Sequence, residues 1–171
     1  ERTRVSFGTD GIRGKVHSLI TPGLALDIGF HCGDVLDGKA PFLLGRDSRT
    51  SGAMLSAAIA AGLTAAGKDV WDIGICPTPA LPCLIRKFQA SGGLMVSASH
   101  NPPEYNGIKI FEKDGQKLNH KHKYLMEEAL TQRRSSNLRN SYNNFGKSFL
   151  RNELLKTYSD SLLSSVKNKR L

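Results

Sequence analysis

A chain of 171 residues, 39% of them hydrophobic, is long enough to bury one sizeable core with an appendage. It holds no apolar run long enough to cross a bilayer and no basic-then-apolar leader, and its three cysteines (Cys32, Cys76, Cys83) form no CxxC pair, which sets aside a membrane role, a disulfide framework and a zinc site and points to a reducing cytoplasm. The net charge of +9 is unevenly placed: residues 1–130 carry 15 Lys+Arg and 13 Asp+Glu, residues 131–171 nine and two, so the basic character belongs to a tail poor in aromatic residues, and nucleic-acid binding is not expected.

In chain order, residues 3–7 read as a short strand or an extended lead-in. Thr9-Asp10-Gly11-Ile12-Arg13-Gly14 reads as a glycine-punctuated loop around one arginine. Thr21-Pro22 predicts a helix start, and Leu24, Ile28, Cys32 and Val35 continue it at helical spacing until Asp37-Gly38. Phe42-Leu43-Leu44 predicts a buried strand running into the polar loop Gly45-Arg46-Asp47-Ser48-Arg49-Thr50. Ser51 is expected to cap an alanine-rich helix from Ala53 to Ala66, stopped by Gly67. Val70–Ile73 alternates as a strand, Cys76-Pro77-Thr78-Pro79 turns, and a helix is predicted over Ala80–Phe88.

Gly92–Ser97 predicts a second buried strand. Asn106-Gly107 reads as a turn into a strand over Ile108–Phe111, and His120–Thr131 as a helix with a solvated start. Strands alternating with helices through short loops argue for an α/β fold: a three-layer α/β/α domain with a mixed sheet, covering residues 1–132. Residues 133–148, rich in Ser, Asn and Arg, read as a linker. Leu150, Leu154, Tyr158, Leu162 and Val166 form an apolar stripe, so residues 149–171 are expected to be a stray helix opening a truncated second domain with nothing to pack on.

The run Ser97-Ala98-Ser99-His100-Asn101-Pro102 follows the predicted 92–97 strand, and Lys109 lies ten residues after Ser99. Ligands of open α/β sheets sit outside the carboxyl ends of strands, so Ser99 stands where a reacting hydroxyl belongs. The bland alternatives are a turn serine, a loop-bracing Arg13, a lysine on the solvent face of a strand, and an internally paired loop for Arg46, Asp47 and Arg49.

Four blocks, in order, carry a family likeness: Phe7 to Gly14, Gly45 to Gly52, Pro77-Thr78-Pro79, and Ser97 to Pro102 with Asn106-Gly107-Ile108-Lys109. With them the chain resembles the N-terminal domain of the α-D-phosphohexomutases over about residues 4–130. The resemblance implies a phosphoserine at Ser99 that phosphorylates a sugar monophosphate, passes through a sugar 1,6-bisphosphate, and is then restored. It implies catalytic roles for Ser99, His100, Lys109 and Arg13, and phosphate binding or support from Asn101, Asp10, Gly11, Arg46, Asp47 and Arg49. A phosphoserine carries about −1.5 to −2 charge and needs cations around it. Arg13 offers a planar fork of donors, Lys109 a point charge or an acid–base group for the sugar hydroxyl, and Mg²⁺ would bind the phosphoserine oxygen.

The resemblance implies glucosamine 6-phosphate as substrate and glucosamine 1-phosphate as product, with mannose or glucose phosphate as the alternative. Members of the family are longer, with a metal loop, a sugar-reading loop and a phosphate-binding loop on later domains. This chain is therefore expected to be an N-terminal fragment, a partner of C-terminal domains of the same protein, and inactive alone. The competing readings are a short protein that binds sugar phosphates or a partner without turnover, and a nucleic-acid or acidic-surface binder acting through its basic tail.

Overall fold

The computed structural model describes residues 6–8, 11–132 and 144–167. The extended lead-in expected over residues 3–7 therefore falls largely outside the described residues, as do Thr9 and Asp10. Among the described residues, six strands form one mixed sheet. They are β1 (Ile12–Lys15), β2 (Phe42–Arg46), β3 (Val70–Ile75), β4 (Gly92–Val96), β5 (Tyr105–Glu112) and β6 (Ser148–Leu150), in the spatial order β1-β5-β4-β2-β3-β6. β2 runs parallel to β3 and β4, and β6 parallel to β3, whereas β5 is antiparallel to β4 and β1.

Among the described residues, five helices complete the three layers: α1 (Pro22–Val35), α2 (Gly52–Ala65), α3 (Ala80–Phe88), α4 (His120–Gln132) and α5 (Leu154–Lys167). Alternation along β2 sends Phe42 and Leu44 to one face and Leu43 to the other; along β4, Leu94 and Val96 oppose Met95. The first face packs on Ile28 and Cys32 of α1, Leu55, Ile59 and Leu63 of α2, and Met126 of α4. The second packs on Leu81, Leu84 and Ile85 of α3 and Leu154 of α5. Both faces of β4 are thus covered, which is why it reads as an unbroken apolar run. α1 and α2 meet backbone to backbone: a Cβ on Gly29 would lie 2.3 Å from the Ile59 carbonyl oxygen, and one on Gly62 2.1 Å from that of Leu26. None of the helices is long and apolar enough to cross a membrane, among the described residues.

Several local expectations are corrected. Thr21 caps α1 as expected, its Oγ1 accepting from the Leu24 amide. Ser51 does not cap α2; its Oγ accepts a hydrogen bond from Asn106 Nδ2 instead. Arg13 lies on a strand rather than in a loop, because β1 pairs with β5 and places Arg13 opposite Gly107. The same pairing makes Asn106-Gly107 strand rather than turn. Gly45 and Arg46 belong to β2, continued by pairing with β3 and β4. At the tail, β6 adds an edge to the sheet, and the first turns of α5 seat Leu154, Leu155 and Tyr158 on the α3 side. The helix expected to have nothing to pack on is docked there, while Leu162, Leu163 and Val166 stay exposed.

Candidate active site

The carboxyl ends of the parallel strands β2 and β4 lie at one edge of the sheet, beside the start of antiparallel β5. β4 passes into Ser97, whose amide donates to the Gly107 carbonyl and whose Oγ accepts from the Ser99 amide at 3.1 Å. Ser99 then adopts φ +56°, the left-handed region. A non-glycine residue there costs about 1–3 kcal/mol and persists where its surroundings over-determine it. The consequence is an Oγ held 3.2 Å from Lys109 Nζ, which donates to it. Lys109 reaches Ser99 because β5 folds back antiparallel on β4, pairing Lys109 with Met95.

Arg13 joins the same edge from β1: its Nη1 donates to Asn101 Oδ1 at 3.0 Å. Asn101 is thus tied to Arg13 through its side chain and to Ala98 through its amide, 3.1 Å from that carbonyl. His100 is exposed at the loop tip, and its ring makes no hydrogen bond among the described residues. Gly11 lies beside Lys109 with φ +99°, and a Cβ there would stand 2.1 Å from the Ile108 carbonyl oxygen, so only glycine fits against β5. Asp10 lies outside the described residues.

The polar loop after β2 divides. Arg46 faces Asp72, Nη1 to Oδ1 3.6 Å. Asp47 accepts from the amide of Arg49 and from its Nε, and the remaining guanidinium donors run to backbone oxygens of the Ser99 loop. Both arginines therefore have partners within the fold. Asn106, fully buried, is a supporting residue that reading the sequence as a turn hid. It donates to Ser51 and accepts from the Gly107 amide, joining the start of β5 to the start of α2. His122 likewise is held, its Nδ1 3.0 Å from Glu112 Oε1.

No group of three or more His, Cys, Asp or Glu side chains able to hold a metal ion occurs among the described residues. By themselves these residues do not fit a divalent cation, which takes several oxygen ligands. What the edge does offer is a hydroxyl flanked by an ammonium, with a guanidinium bound to its loop, the combination suited to a group carrying negative charge.

Known proteins bear on this geometry. Residues 4–137 match the family described as phosphoglucomutase/phosphomannomutase, alpha/beta/alpha domain I. A phosphoglucosamine mutase of Prochlorococcus marinus (strain MIT 9313) is 54% identical over 169 residues, covering 98% of this chain and 36% of the relative. One from Synechococcus sp. (strain WH7803) is 56% identical over 174 residues with the same coverage. Among solved structures, a phosphoglucomutase/phosphomannomutase family protein from Burkholderia thailandensis superposes with a TM-score of 0.78 at 26% identity. That match covers 92% of this chain and 35% of the other. The chain thus spans little more than a third of the length of the relatives it matches.

Proposed function

The chain belongs to the phosphoglucomutase/phosphomannomutase family, and from that premise we propose that it forms the phosphoserine-bearing part of a mutase converting glucosamine 6-phosphate to glucosamine 1-phosphate. The observation that carries this reading is Ser99 in a left-handed conformation with its Oγ 3.2 Å from Lys109 Nζ. Glucosamine phosphate is favoured over mannose or glucose phosphate because the relatives at 54% and 56% identity are phosphoglucosamine mutases.

In this reading Ser99 carries the phosphoryl group. A sugar hydroxyl oxygen forms the new bond to phosphorus as the bond to Ser99 Oγ breaks. The electron pair of the broken bond stays on Oγ, where the Lys109 ammonium meets it and can return a proton. The proton of the sugar hydroxyl passes to a base outside the described residues. The sugar bisphosphate so formed reorients and returns its other phosphoryl group to Ser99 by the same path reversed. Arg13 and Asn101 hold the loop, the Arg13 guanidinium adds positive charge beside it, Gly11 lets the neighbouring segment lie close, and His100, exposed at the tip, faces incoming substrate. Arg46, Asp47 and Arg49 act as support. Mg²⁺ would neutralise charge on a phosphoserine oxygen, with ligands from later domains. Residues 1–132 form the body of the phosphoserine domain, 133–147 connect it to β6 and the docked start of α5, which complete it, and the exposed end of α5 leads toward the next domain.

The test is to incubate the full-length protein with glucosamine 1,6-bisphosphate and count phosphoryl groups by intact mass. One group located on Ser99, none on Ser99→Ala, and turnover of glucosamine 6-phosphate above mannose 6-phosphate are expected. A protein that turns over normally as Ser99→Ala has a different carrier. One that binds the sugar phosphate without turnover is a binding protein.

A further inference from the structure

Arg49 follows β2 by three residues, yet its guanidinium lies under the loop that carries Ser99, with the side chain only 13% exposed. A guanidinium has five N–H donors. Here all five have acceptors. Nε donates to Asp47 Oδ2 at 3.2 Å. Nη1 donates to the carbonyls of Pro102 at 2.7 Å and Tyr105 at 3.0 Å. Nη2 donates to those of Ser99 at 3.0 Å and Asn101 at 2.7 Å.

Two consequences follow from that count. No N–H of Arg49 is left for a phosphate, so an anion cannot be its direct partner without breaking the loop contacts. And four carbonyls spread over seven residues, from Ser99 to Tyr105, are drawn to one planar cation. The Ser99–His100 peptide bond is trans, so the carbonyl of Ser99 pointing at Arg49 turns the His100 amide N–H to the opposite side. The strained φ of Ser99 lies inside this clamp, where the position of its carbonyl is set from outside the loop. Lysine, a point charge with three donors, cannot reproduce a five-way planar contact.

We propose that Arg49 is a positioning residue: its saturated guanidinium, anchored by Asp47, fixes the Ser99–Tyr105 loop in the one conformation that presents Ser99 Oγ to Lys109, and it makes no contact with the phosphoryl group. The proposal rests on Ser99 being the phosphoryl carrier.

The experiment compares Arg49→Lys, Arg49→Ala and Asp47→Asn in the full-length protein by steady-state kinetics and amide hydrogen exchange. Misplacing a reacting group by about 1 Å can lower a rate about 100-fold, so Arg49→Lys is expected to lose kcat on that scale with KM for the sugar phosphate held within about twofold. The amides of Asn101 and Tyr105, bonded to Ala98 and Pro102, should exchange about tenfold faster while those of β4 do not change. Added guanidinium ion should restore part of the activity of Arg49→Ala. A KM raised about tenfold with kcat kept would make Arg49 a substrate ligand and overturn the proposal. So would unchanged loop exchange in Arg49→Lys. If Arg49→Ala does not fold, Arg49→Lys and Asp47→Asn decide, and an unchanged kcat in both overturns it. Turnover by Ser99→Ala would instead fail the functional reading, while the exchange measurement still reports on the clamp.

Discussion

Arg13 and Asn101, 88 residues apart in the chain, are joined by a 3.0 Å hydrogen bond from guanidinium Nη1 to amide Oδ1. The bond crosses from β1 to the loop after β4, so the outer strand of the sheet and the Ser99 loop are held as one body. Removing a preorganised donor beside a reacting group lowers a rate about 100- to 1,000-fold. Arg13→Ala is expected to slow phosphorylation of Ser99 by the bisphosphate on that scale, and Asn101→Ala by about tenfold. The double variant should be no slower than Arg13→Ala, since Asn101 acts only through its bond to Arg13. Additive losses in single-turnover phosphorylation would mean that they act separately.

The left-handed conformation of Ser99 makes a stability prediction independent of catalysis. At φ +56° a Cβ is unfavourable and glycine is not. Both Ser99→Ala and Ser99→Gly remove the Lys109 contact, so their difference isolates the backbone. Ser99→Gly should be more stable than Ser99→Ala by about 1 kcal/mol in urea unfolding. Equal midpoints would show that the loop relaxes out of the left-handed region once the hydroxyl is gone.

The elements that local chemistry specifies were legible: α1 from Thr21-Pro22 and its periodic apolar residues, α3 over Ala80–Phe88, and β4 from its apolar run. The strands that partners specify were not. β1 holds Gly14 and follows Gly8 and Gly11, the punctuation that marks loops, and it becomes a strand because Ile12 and Arg13 pair with Ile108 and Gly107. β6 is three exposed residues whose only strand credential is its bond to the edge of β3. In the site, Ser99, Asn101 and Lys109 were visible as residue types in one short stretch. Arg49 was visible only as a charge, because four of its five acceptors are backbone carbonyls, which leave no trace in side-chain identity.

Burial sets the behaviour of the cysteines at high pH. Desolvation is the main reason the Cys76 thiol is pushed up to about 11, and burial raises Cys32 further still. An unfolded thiol ionises nearer 8.5–9. A raised acid binds its proton more tightly in the folded state, so its contribution is complete below about pH 9 and is lost as pH rises through about 11. The urea midpoint should therefore fall between those pH values, and less steeply in Cys76→Ala. Identical slopes in the two proteins would mean that Cys76 is not shielded from water. Cys83, only partly buried, should be the first thiol to react with an alkylating reagent in the native protein.

The docking of α5 separates two halves of one apolar stripe. Leu154 is 5% exposed and joins the cluster formed by Leu81, Leu84 and Ile85 of α3, next to Trp71 of β3. Arg151, just before the helix, lies 4.2 Å from the Trp71 ring and donates its amide to the Asp72 carbonyl, so β6 and α5 arrive already oriented. Leu162 and Val166, two and three turns further on, are 50% and 70% exposed. Leu154→Ala should cost about 2–3 kcal/mol of stability in residues 1–171, whereas Leu162→Ala and Val166→Ala should each stay within about 0.5 kcal/mol. The contrast should narrow in the full-length protein if later domains cover the outer half of the helix, because truncating Leu162 would then open a buried contact. An equal, small effect at all three positions in residues 1–171 would mean that α5 does not stay docked on α3 in solution.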